Sequence, residues 1–481
     1  MRYLLLLLLA TAAGAQTLVI QNVTAVDANG TRPNVTVLVR DGWISSAGPG
    51  VRVPQGARVV SGKGKFLIPG LWDMHVHLWE KEPMVNLYLA TGVLGLRDMG
   101  SDLPRTRALR TEIAAGRVPG PALIYTSGPP VDGPESNLTQ TKVITVADSE
   151  AARRATDTVD EGLADFVKVM SSLSEDAYLA LAQRARVRRI PFAGHLPEAV
   201  DVSTAIDARQ KSIEHLFGMA LAGSLEEPTL RRRRAAAIAK NDFAALHEVR
   251  DRTYATFNPA IAAEIFRRMS RFGVWQTPTL GLRKRLSFIG LDDTVNAREL
   301  RYVPAAVRDG WQDPRVEGRK ASAEQLTSFR EDYEFHRRLV GHMYRAGTGI
   351  LAGTDTGDAY VVPGFALHDE LHLLTEAGMT THDALGAATL QPARYFGLED
   401  RHGTVAVGRA ANLILLDADP SADIRNTRRI AAVVAKGKLL ERPCLDRLLT
   451  DKNEKCGLAA DQAEPTRPPA AKPVRRKARR R

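Results

Sequence analysis

The sequence has few cysteines, few aromatic residues and no long apolar run. Its 481 residues include only two cysteines, Cys444 and Cys456, which excludes a small disulfide-rich fold and a cysteine-rich zinc module. The apolar stretch 4–13 is too short to span a bilayer, which needs about 20 residues. The remaining composition, 44% hydrophobic and 25% charged residues, is that of a globular protein and excludes a disordered chain or a collagen.

The first sixteen residues have the pattern of a secretory signal peptide. One early arginine precedes the apolar stretch, and small residues follow it, so cleavage is expected after Ala15. We therefore expect an exported protein, periplasmic or secreted, although an uncleaved anchor has the same pattern. Export would permit a Cys444–Cys456 disulfide, and two free thiols fit the sequence equally well.

The positive charge is concentrated at the C-terminus. The net charge is +11, but residues 467–481 contain eight Lys/Arg and no acidic residue, so the rest carries +3. Residues 446–481 are therefore predicted to be a linker and a basic tail without a core. A solvated tail is the simplest interpretation, and weak binding to an anionic surface is the functional alternative. Specific nucleic-acid binding is not expected, because no aromatic residues alternate with the charges.

The order of the predicted elements indicates two domains. Short alternating strands at both ends, with a hairpin near Asn29–Gly30, predict a small β-sandwich domain built from residues 16–66 and 398–445. Between them, residues 67–397 alternate short apolar strands with helices, which predicts an α/β fold, a (β/α)8 TIM barrel. Its eight strands are expected at 67–77, 92–97, 122–126, 166–170, 191–195, 212–215, 274–279 and 350–353. The long insertion 216–273 is a candidate lid.

Candidate metal ligands follow the predicted strands. His75 and His77 lie two residues apart, so both imidazoles face the same side of a strand. His195, His215 and Asp355 each come where another strand ends, and all are residue types that bind zinc. Lys168 lies within an apolar strand, where desolvation would favour a neutral amine that can add carbon dioxide. The alternative for Lys168 is a lysine that reaches a carboxylate.

These residues and their surroundings resemble the binuclear amidohydrolase superfamily, most of all its exported imidazolonepropionase-like and prolidase-like members. The resemblance covers about residues 18–440 and is carried by the ligands above and by five segments. They are PGLWDMHVH at 69–77, GVLGLRDMG at 92–100, GTD at 353–355, ALGAATLQPARYFGL at 384–398 and GTVAVGRAANLI at 403–414.

The resemblance implies a site with two divalent metal ions. His75, His77 and Asp355 would hold the buried ion, His195 and His215 the more exposed one, and the carbamate of Lys168 would bridge them. Zinc is the expected metal, and manganese or cobalt could replace it. The implied reaction is cleavage of a C–N amide bond by a metal-bridging hydroxide, with Asp355 as proton carrier. The expected substrate is a small molecule or dipeptide, Xaa-Pro-like or cyclic.

Several alternatives remain open from the sequence. The same ligands would serve a lactone or phosphotriester hydrolase, and a non-catalytic binding protein could keep the same barrel. His368 and Tyr125 are candidate substrate-binding residues, and Arg97–Asp98 is expected to be a structural ion pair. An oligomer is compatible with the sequence.

Overall fold

The computed structural model describes residues 17–79, 84–136, 138–139, 141–288, 298–311, 323–451 and 453–458. The predicted signal peptide and, within the predicted linker and tail, residue 452 and residues 459–481 lie outside these residues. Export, cleavage after Ala15 and attachment through the tail therefore stay predictions. Within the described ranges no helix combines the length and the apolar character that crossing a bilayer requires.

Strands and helices alternate through most of the chain. The strands are β1 (Leu18–Asp27), β2 (Gly30–Arg40), β3 (Trp43–Gly48), β4 (Arg58–Ser61), β5 (Phe66–Pro69), β6 (Leu71–Val76), β7 (Val93–Asp98), β8 (Leu123–Thr126), β9 (Val131–Asp132), β10 (Ile144–Thr145), β11 (Val167–Val169), β12 (Phe192–Gly194), β13 (Ser212–Glu214), β14 (Trp275–Thr277), β15 (Leu413–Leu416), β16 (Ile430–Ala435) and β17 (Lys438–Glu441). The helices are α1 (Val85–Ala90), α2 (Leu103–Ala114), α3 (Ser149–Glu161), α4 (Glu175–Arg188), α5 (Val202–Ala208), α6 (Met219–Ala222), α7 (Glu227–Ala239), α8 (Phe243–Ala255), α9 (Pro259–Phe272), α10 (Leu280–Phe288), α11 (Ala305–Gly310), α12 (Ala323–Arg345), α13 (Phe365–Glu376), α14 (Thr381–Ala387), α15 (Leu390–Phe396) and α16 (Arg442–Thr450), with 3₁₀ turns at Glu299–Tyr302 and Ile424–Arg428.

The two ends of the chain meet in one mixed sheet, ordered β17-β16-β15-β5-β1-β2-β3, with β4 also paired to β1. The predicted hairpin near Asn29–Gly30 is present, since β1 and β2 are antiparallel and Asp27 is paired with Gly30. The two ends join where β5 pairs antiparallel with β15, with Leu67 opposite Leu415. The apolar side chains that alternate along these strands form a separate small core.

Most of the candidate metal ligands lie on the parallel strands or directly after them. They form two sheets, β6-β7-β8 and β10-β9-β11-β12-β13-β14. All residues of β6 and β7 are buried, as expected for parallel strands covered by helices. The segment 350–356 links the sheets on one side, because Ile350 pairs with Gln276 and Thr356 with Val76.

The predicted eighth strand and the predicted closure differ from the structure. Within the described chain, residues 350–353 form an isolated bridge rather than a strand. Between β8 and the second sheet no strand pairing is present, although the Asp165 amide donates to the Thr126 carbonyl over 2.8 Å. The fold is therefore α/β with parallel strands, without a continuous closed sheet.

Two further features concern the insertion after His215 and the C-terminal end. The insertion contains helices α6 to α9, and several of its arginines form ion pairs, among them Arg234 with Glu198. Cys444 of α16 is disulfide-bonded to Cys456, which decides the alternative that the sequence left open.

Candidate metal centre

The first two candidate ligands lie at the end of β6. His75 is completely buried, and its ring centroid lies 5.3 Å from that of His77. Their spacing of two residues places both rings on the same side, as the sequence predicts. The ring of Trp79 stacks on His77 with a centroid distance of 4.0 Å and so covers its outer side.

Asp355 brings three histidines together. Its Oδ1 lies 3.2 Å from His75 Nε2 and 3.1 Å from His77 Nε2, and its Oδ2 lies 3.7 Å from His215 Nε2. One ligand atom from each of His75, His215 and Asp355 lies within 4.8 Å of the others, so these three buried residues form a metal-binding group. Asp355 and His215 have φ of +61° and +59°, a left-handed conformation that costs free energy and often occurs at functional sites.

His195 and Lys168 lie beside this group on neighbouring strands. The ring centroid of His195 is 5.1 Å from that of His215. Lys168, in the middle of β11, is 1% exposed. Gly194 leaves room for it, because a Cβ at Gly194 would lie 2.9 Å from Lys168 Cδ and 2.2 Å from the Val169 oxygen.

Each of the four histidines is held through Nδ1. The partners are Glu214 Oε2 for His75 at 2.8 Å, the Gly100 oxygen for His77 at 3.2 Å, Ser171 Oγ for His195 at 2.8 Å and Thr279 Oγ1 for His215 at 2.8 Å. A carboxylate and a carbonyl can only accept a hydrogen bond, so Nδ1 carries the proton in neutral His75 and His77. Nε2 of both rings then presents a lone pair.

The donor set fits divalent metal ions. In neutral His75 and His77 the Nε2 lone pairs face a carboxylate oxygen, an arrangement that repels unless a cation or a proton lies between them. His75 Nε2 is buried and makes no hydrogen bond. A buried acceptor of this kind is suited to bind a divalent metal ion.

Burial favours the neutral form of two of the candidate histidine ligands. Desolvation lowers the pKa of His215 to about 3 and that of His195 well below its usual range. Desolvation opposes the ionisation of Asp355, but positive charge on the neighbouring His75 and His215 outweighs it and holds the pKa of Asp355 well below the usual range. A metal ion bound to neutral rings would supply the same positive charge. Neutral imidazoles and an ionised carboxylate are the forms that bind metal.

Tyr125 does not lie where the sequence predicts. Its ring stacks on Phe396 with a centroid distance of 3.9 Å and packs 6.1 Å from Trp72. These rings belong to an apolar cluster that also contains Met74 and Leu351. Tyr125, which is partly buried, therefore packs against this cluster rather than lining a substrate pocket, because its strand position turns its ring toward the cluster.

His368 also differs from its predicted role. Both of its ring nitrogens are engaged, Nδ1 with Thr427 Oγ1 at 2.9 Å and Nε2 with the Thr91 carbonyl at 3.0 Å. The side chain is buried between α13, the 3₁₀ turn Ile424–Arg428 and the end of α1. It holds these elements together and has no nitrogen left for a substrate.

The buried His368 should make the protein less stable in acid. Desolvation lowers its pKa to about 3, whereas in the unfolded chain it would be about 6.5. Between these values unfolding takes up a proton, so stability falls as the pH decreases below about 6.5. For His368→Asn we expect about one proton fewer taken up on unfolding near pH 5, measured from the pH dependence of the unfolding free energy. An unchanged slope would contradict the assignment of a neutral, buried His368.

The pairing of Arg97 also differs from the expectation. Arg97 does not pair with Asp98 but with Glu214, at 2.8 Å, and both side chains are completely buried. Asp98 instead accepts hydrogen bonds from Ser101 Oγ and Thr126 Oγ1. Sequence reasoning missed Glu214, although a charged residue inside a short apolar strand, next to a candidate ligand, was a signal for it.

Comparison with models of protein families identifies the family of this chain. The model of the amidohydrolase family matches residues 66–440. The chain belongs to the amidohydrolase family. This confirms the resemblance inferred from the sequence and the prediction of an enzyme of the amidohydrolase class.

Solved amidohydrolase structures share the fold. A putative prolidase from Bifidobacterium longum has a TM-score of 0.67 at 24% identity and covers 91% of this chain and 99% of its own. A bottromycin amidohydrolase has a TM-score of 0.68 at 24% identity, covering 92% and 91%. A Xaa-Pro dipeptidase with bound methionine has a TM-score of 0.64 at 16% identity, covering 89% and 100%. At these identities the likeness concerns the fold.

Curated relatives match over short segments. Dihydroorotase of Thermus aquaticus is 40% identical over 77 residues, 16% of this chain and 17% of that protein. N-acetylglucosamine-6-phosphate deacetylase of Lysinibacillus sphaericus is 40% identical over 60 residues, 12% of this chain and 15% of that protein. The chain thus spans less than a fifth of the curated relatives that it matches.

Proposed function

We propose that this amidohydrolase is a metal-dependent hydrolase that cleaves a C–N amide bond in a dipeptide, Xaa-Pro-like, or in a cyclic amide. The observation that carries the proposal is the convergence of His75, His77, His215 and Asp355 within contact distance of one another. The fold similarity to proteins described as prolidases and a Xaa-Pro dipeptidase supports the substrate class.

Six residues would hold two divalent ions. His75, His77 and Asp355 are assigned to the buried ion, and His195 and His215 to the more exposed one. The distance of 3.7 Å between His215 Nε2 and Asp355 Oδ2 places His215 close to both groups. Zinc fits the imidazole-rich set, with manganese or cobalt as substitutes.

Lys168 is proposed to carry a carbamate between the two groups. Its neutral amine would add carbon dioxide, form an N–C bond and release one proton. Desolvation lowers its pKa to about 8, which makes the neutral amine accessible near neutral pH. Among the described residues Lys168 has no hydrogen bond or ion pair, which favours this proposal over a lysine paired with a carboxylate.

In the proposed reaction one residue of the chain, Asp355, transfers a proton. Bound divalent ions would lower the pKa of water and polarise the substrate carbonyl. Asp355, whose Oδ1 and Oδ2 both face the ligand cluster, would accept the proton of the attacking water. It would then donate that proton to the leaving nitrogen, which turns a poor leaving group into an amine.

The proposal also covers the architecture of the enzyme, its location, its assembly and the contacts of its tail. We propose that residues 67–397 belong to the (β/α)8 barrel class, although strand pairing among the described residues does not close their sheet, and that residues 16–66 and 398–445 form a β-sandwich domain. Support for the barrel class comes from the bond between the Met74 amide and the Ala352 carbonyl and from the bond between Asp165 and Thr126. Export, assembly into an oligomer and weak contact of the tail with anionic surfaces are further proposals.

One substrate screen tests this function. Purified protein loaded with zinc or manganese is assayed on a dipeptide library that includes Xaa-Pro members, on cyclic amides, on lactones and on a phosphotriester. We expect the highest kcat/KM on a dipeptide or a cyclic amide, with loss of activity after chelation and recovery on adding metal. Preference for a lactone or phosphotriester would contradict C–N cleavage, and no turnover on any class would indicate a binding protein.

A further inference from the structure

A buried polar cluster lies against the candidate metal group, and the proposed reaction does not use it. We call Arg97, Ser212, Glu214 and Tyr395 the floor cluster. The first three are completely buried, and Tyr395 is 4% exposed. The cluster joins β7, β13 and α15, which are far apart in the sequence.

Arg97 is the centre of the floor cluster. Its Nη2 donates to both carboxylate oxygens of Glu214, at 2.8 and 2.9 Å. Its Nη1 donates to Ser212 Oγ at 2.7 Å and to Tyr395 Oη at 3.0 Å. Its Nε donates to the carbonyl of Met74 at 2.6 Å, directly before His75 on β6.

Stability is a weak reason for such an arrangement. Taking both charges out of water costs several kcal/mol per ion, and well-packed apolar residues often stabilise a core at least as well as a buried pair. The cluster therefore calls for a functional explanation. The contact of Glu214 with His75 provides one, because Glu214 Oε2 accepts from His75 Nδ1 at 2.8 Å.

We propose that Arg97 and Glu214 are positioning residues that fix the ring of His75 and strengthen its binding of the buried metal ion. Glu214 holds the proton on Nδ1 and so directs the Nε2 lone pair toward Asp355. A carboxylate partner also makes the imidazole a better donor. Arg97 fixes the carboxylate of Glu214 and the backbone of β6 with the same side chain.

The effect should be specific to one of the two ions. Among the four candidate histidine ligands, His77, His195 and His215 have a carbonyl or a hydroxyl as the Nδ1 partner, and only His75 has a carboxylate. The floor cluster should therefore strengthen the binding of the buried ion more than the binding of the exposed ion. This inference rests on the proposed function in one respect, because it requires that a metal ion binds at His75.

Glu214→Gln tests the proposal, because it keeps the shape of the side chain and removes its charge. Zinc dissociation constants are measured by competition with a chromophoric chelator, without substrate. For one of the two ions we expect binding about 10- to 100-fold weaker than in the wild type, the usual loss when a ligand's carboxylate partner is removed. In cobalt-substituted protein the visible absorption bands should shift, which a purely structural role would not cause.

Two more variants keep the test decisive. Ser212→Ala removes the hydrogen bond from Ser212 Oγ to Glu214, 2.5 Å long, together with the bond that Ser212 Oγ accepts from Arg97, but it keeps the carboxylate of Glu214. It should therefore weaken the binding of the same ion to a smaller degree. Asn86→Ala is the control, because it loses a buried hydrogen bond to the Leu448 carbonyl and should lower stability without changing zinc affinity. If Ser212→Ala and, where it folds, Glu214→Gln bind both ions like the wild type, the positioning role is wrong.

Failure of this inference can be distinguished from failure of the proposed function. A wild type that binds two zinc ions but cleaves no amide would contradict the proposed function, and the comparison of zinc affinities would still test the floor cluster. A wild type that cleaves amides, together with unchanged zinc affinity in both variants, would contradict only the floor cluster.

Discussion

Replacing Lys168 with alanine should cost the protein one metal ion and most of its activity. The proposed bridging ligand would be lost, and the smaller side chain would leave a cavity beside His195. A bound metal ion is worth several kcal/mol of transition-state stabilisation, and about 1.4 kcal/mol corresponds to a factor of ten, so kcat/KM should fall by about 10³-fold. Elemental analysis and steady-state kinetics on the same preparation measure both losses.

Chemical rescue separates this role from a structural one. A short carboxylate such as acetate or propionate fits the space left by the lysine side chain and should partly restore the second metal ion and the activity. Lys211→Ala is the matched control. Lys211 is another lysine whose pKa is lowered to about 8, chiefly by desolvation, and it lies over the Tyr395 ring at 4.5 Å. This control should keep both metal ions, whereas a fully active Lys168→Arg variant would exclude the carbamate.

The second large effect is expected for Asp355→Asn. The amide keeps the shape and one oxygen for the metal, but it cannot carry a proton from water to the leaving nitrogen. Turnover should therefore fall by about 10²–10⁴-fold with both metal ions still bound, the range for positioned acid–base groups.

Metal content and turnover have to be measured on one Asp355→Asn preparation. If Asp355 is only a ligand, the loss of turnover should follow the loss of metal, and excess metal should repair it. Near-native turnover with both ions bound would remove Asp355 from the mechanism. The acidic limb of the rate profile cannot separate these cases, because the attacking water titrates there too.

The candidate site could be predicted largely because parallel strands end at one edge. His75, His195, His215 and Asp355 are far apart in the sequence, yet each follows a short apolar strand, and the structure brings their side chains together. Chain order and strand position were enough to infer this convergence. The joining of both chain ends in one sheet followed from their matching alternating patterns.

The residues whose contacts differ from the sequence predictions differ for a common physical reason. The sequence does not show which way a side chain points when both faces of its element are buried. His368 is buried and Tyr125, partly exposed, packs against an apolar cluster, although both lie near predicted active-site segments. Arg97 reaches Glu214, a partner 117 positions away, rather than its neighbour Asp98. Such long-range pairing depends on the packing of the assembled strands.

The position of the eighth strand shows a similar limit. The apolar run at 350–353 predicts a strand, but in the structure this segment makes only isolated bridge pairs. Gly349 lies next to it where a Cβ would be 2.3 Å from the Trp275 ring, and Gly353 lies where a Cβ would be 2.8 Å from the His75 nitrogen. At both glycines the segment passes too close to its neighbours for a side chain, a constraint that composition does not reveal.

The central claim is that two metal ions in this site are required for amide hydrolysis. The most direct measurement is a titration of metal-free protein, supplied with bicarbonate, with zinc or manganese while hydrolysis of the best dipeptide from the screen is followed. We predict that activity reaches its maximum at two equivalents per chain and that Lys168→Ala binds only one. Full activity at one equivalent, or no activity at two, would contradict the account.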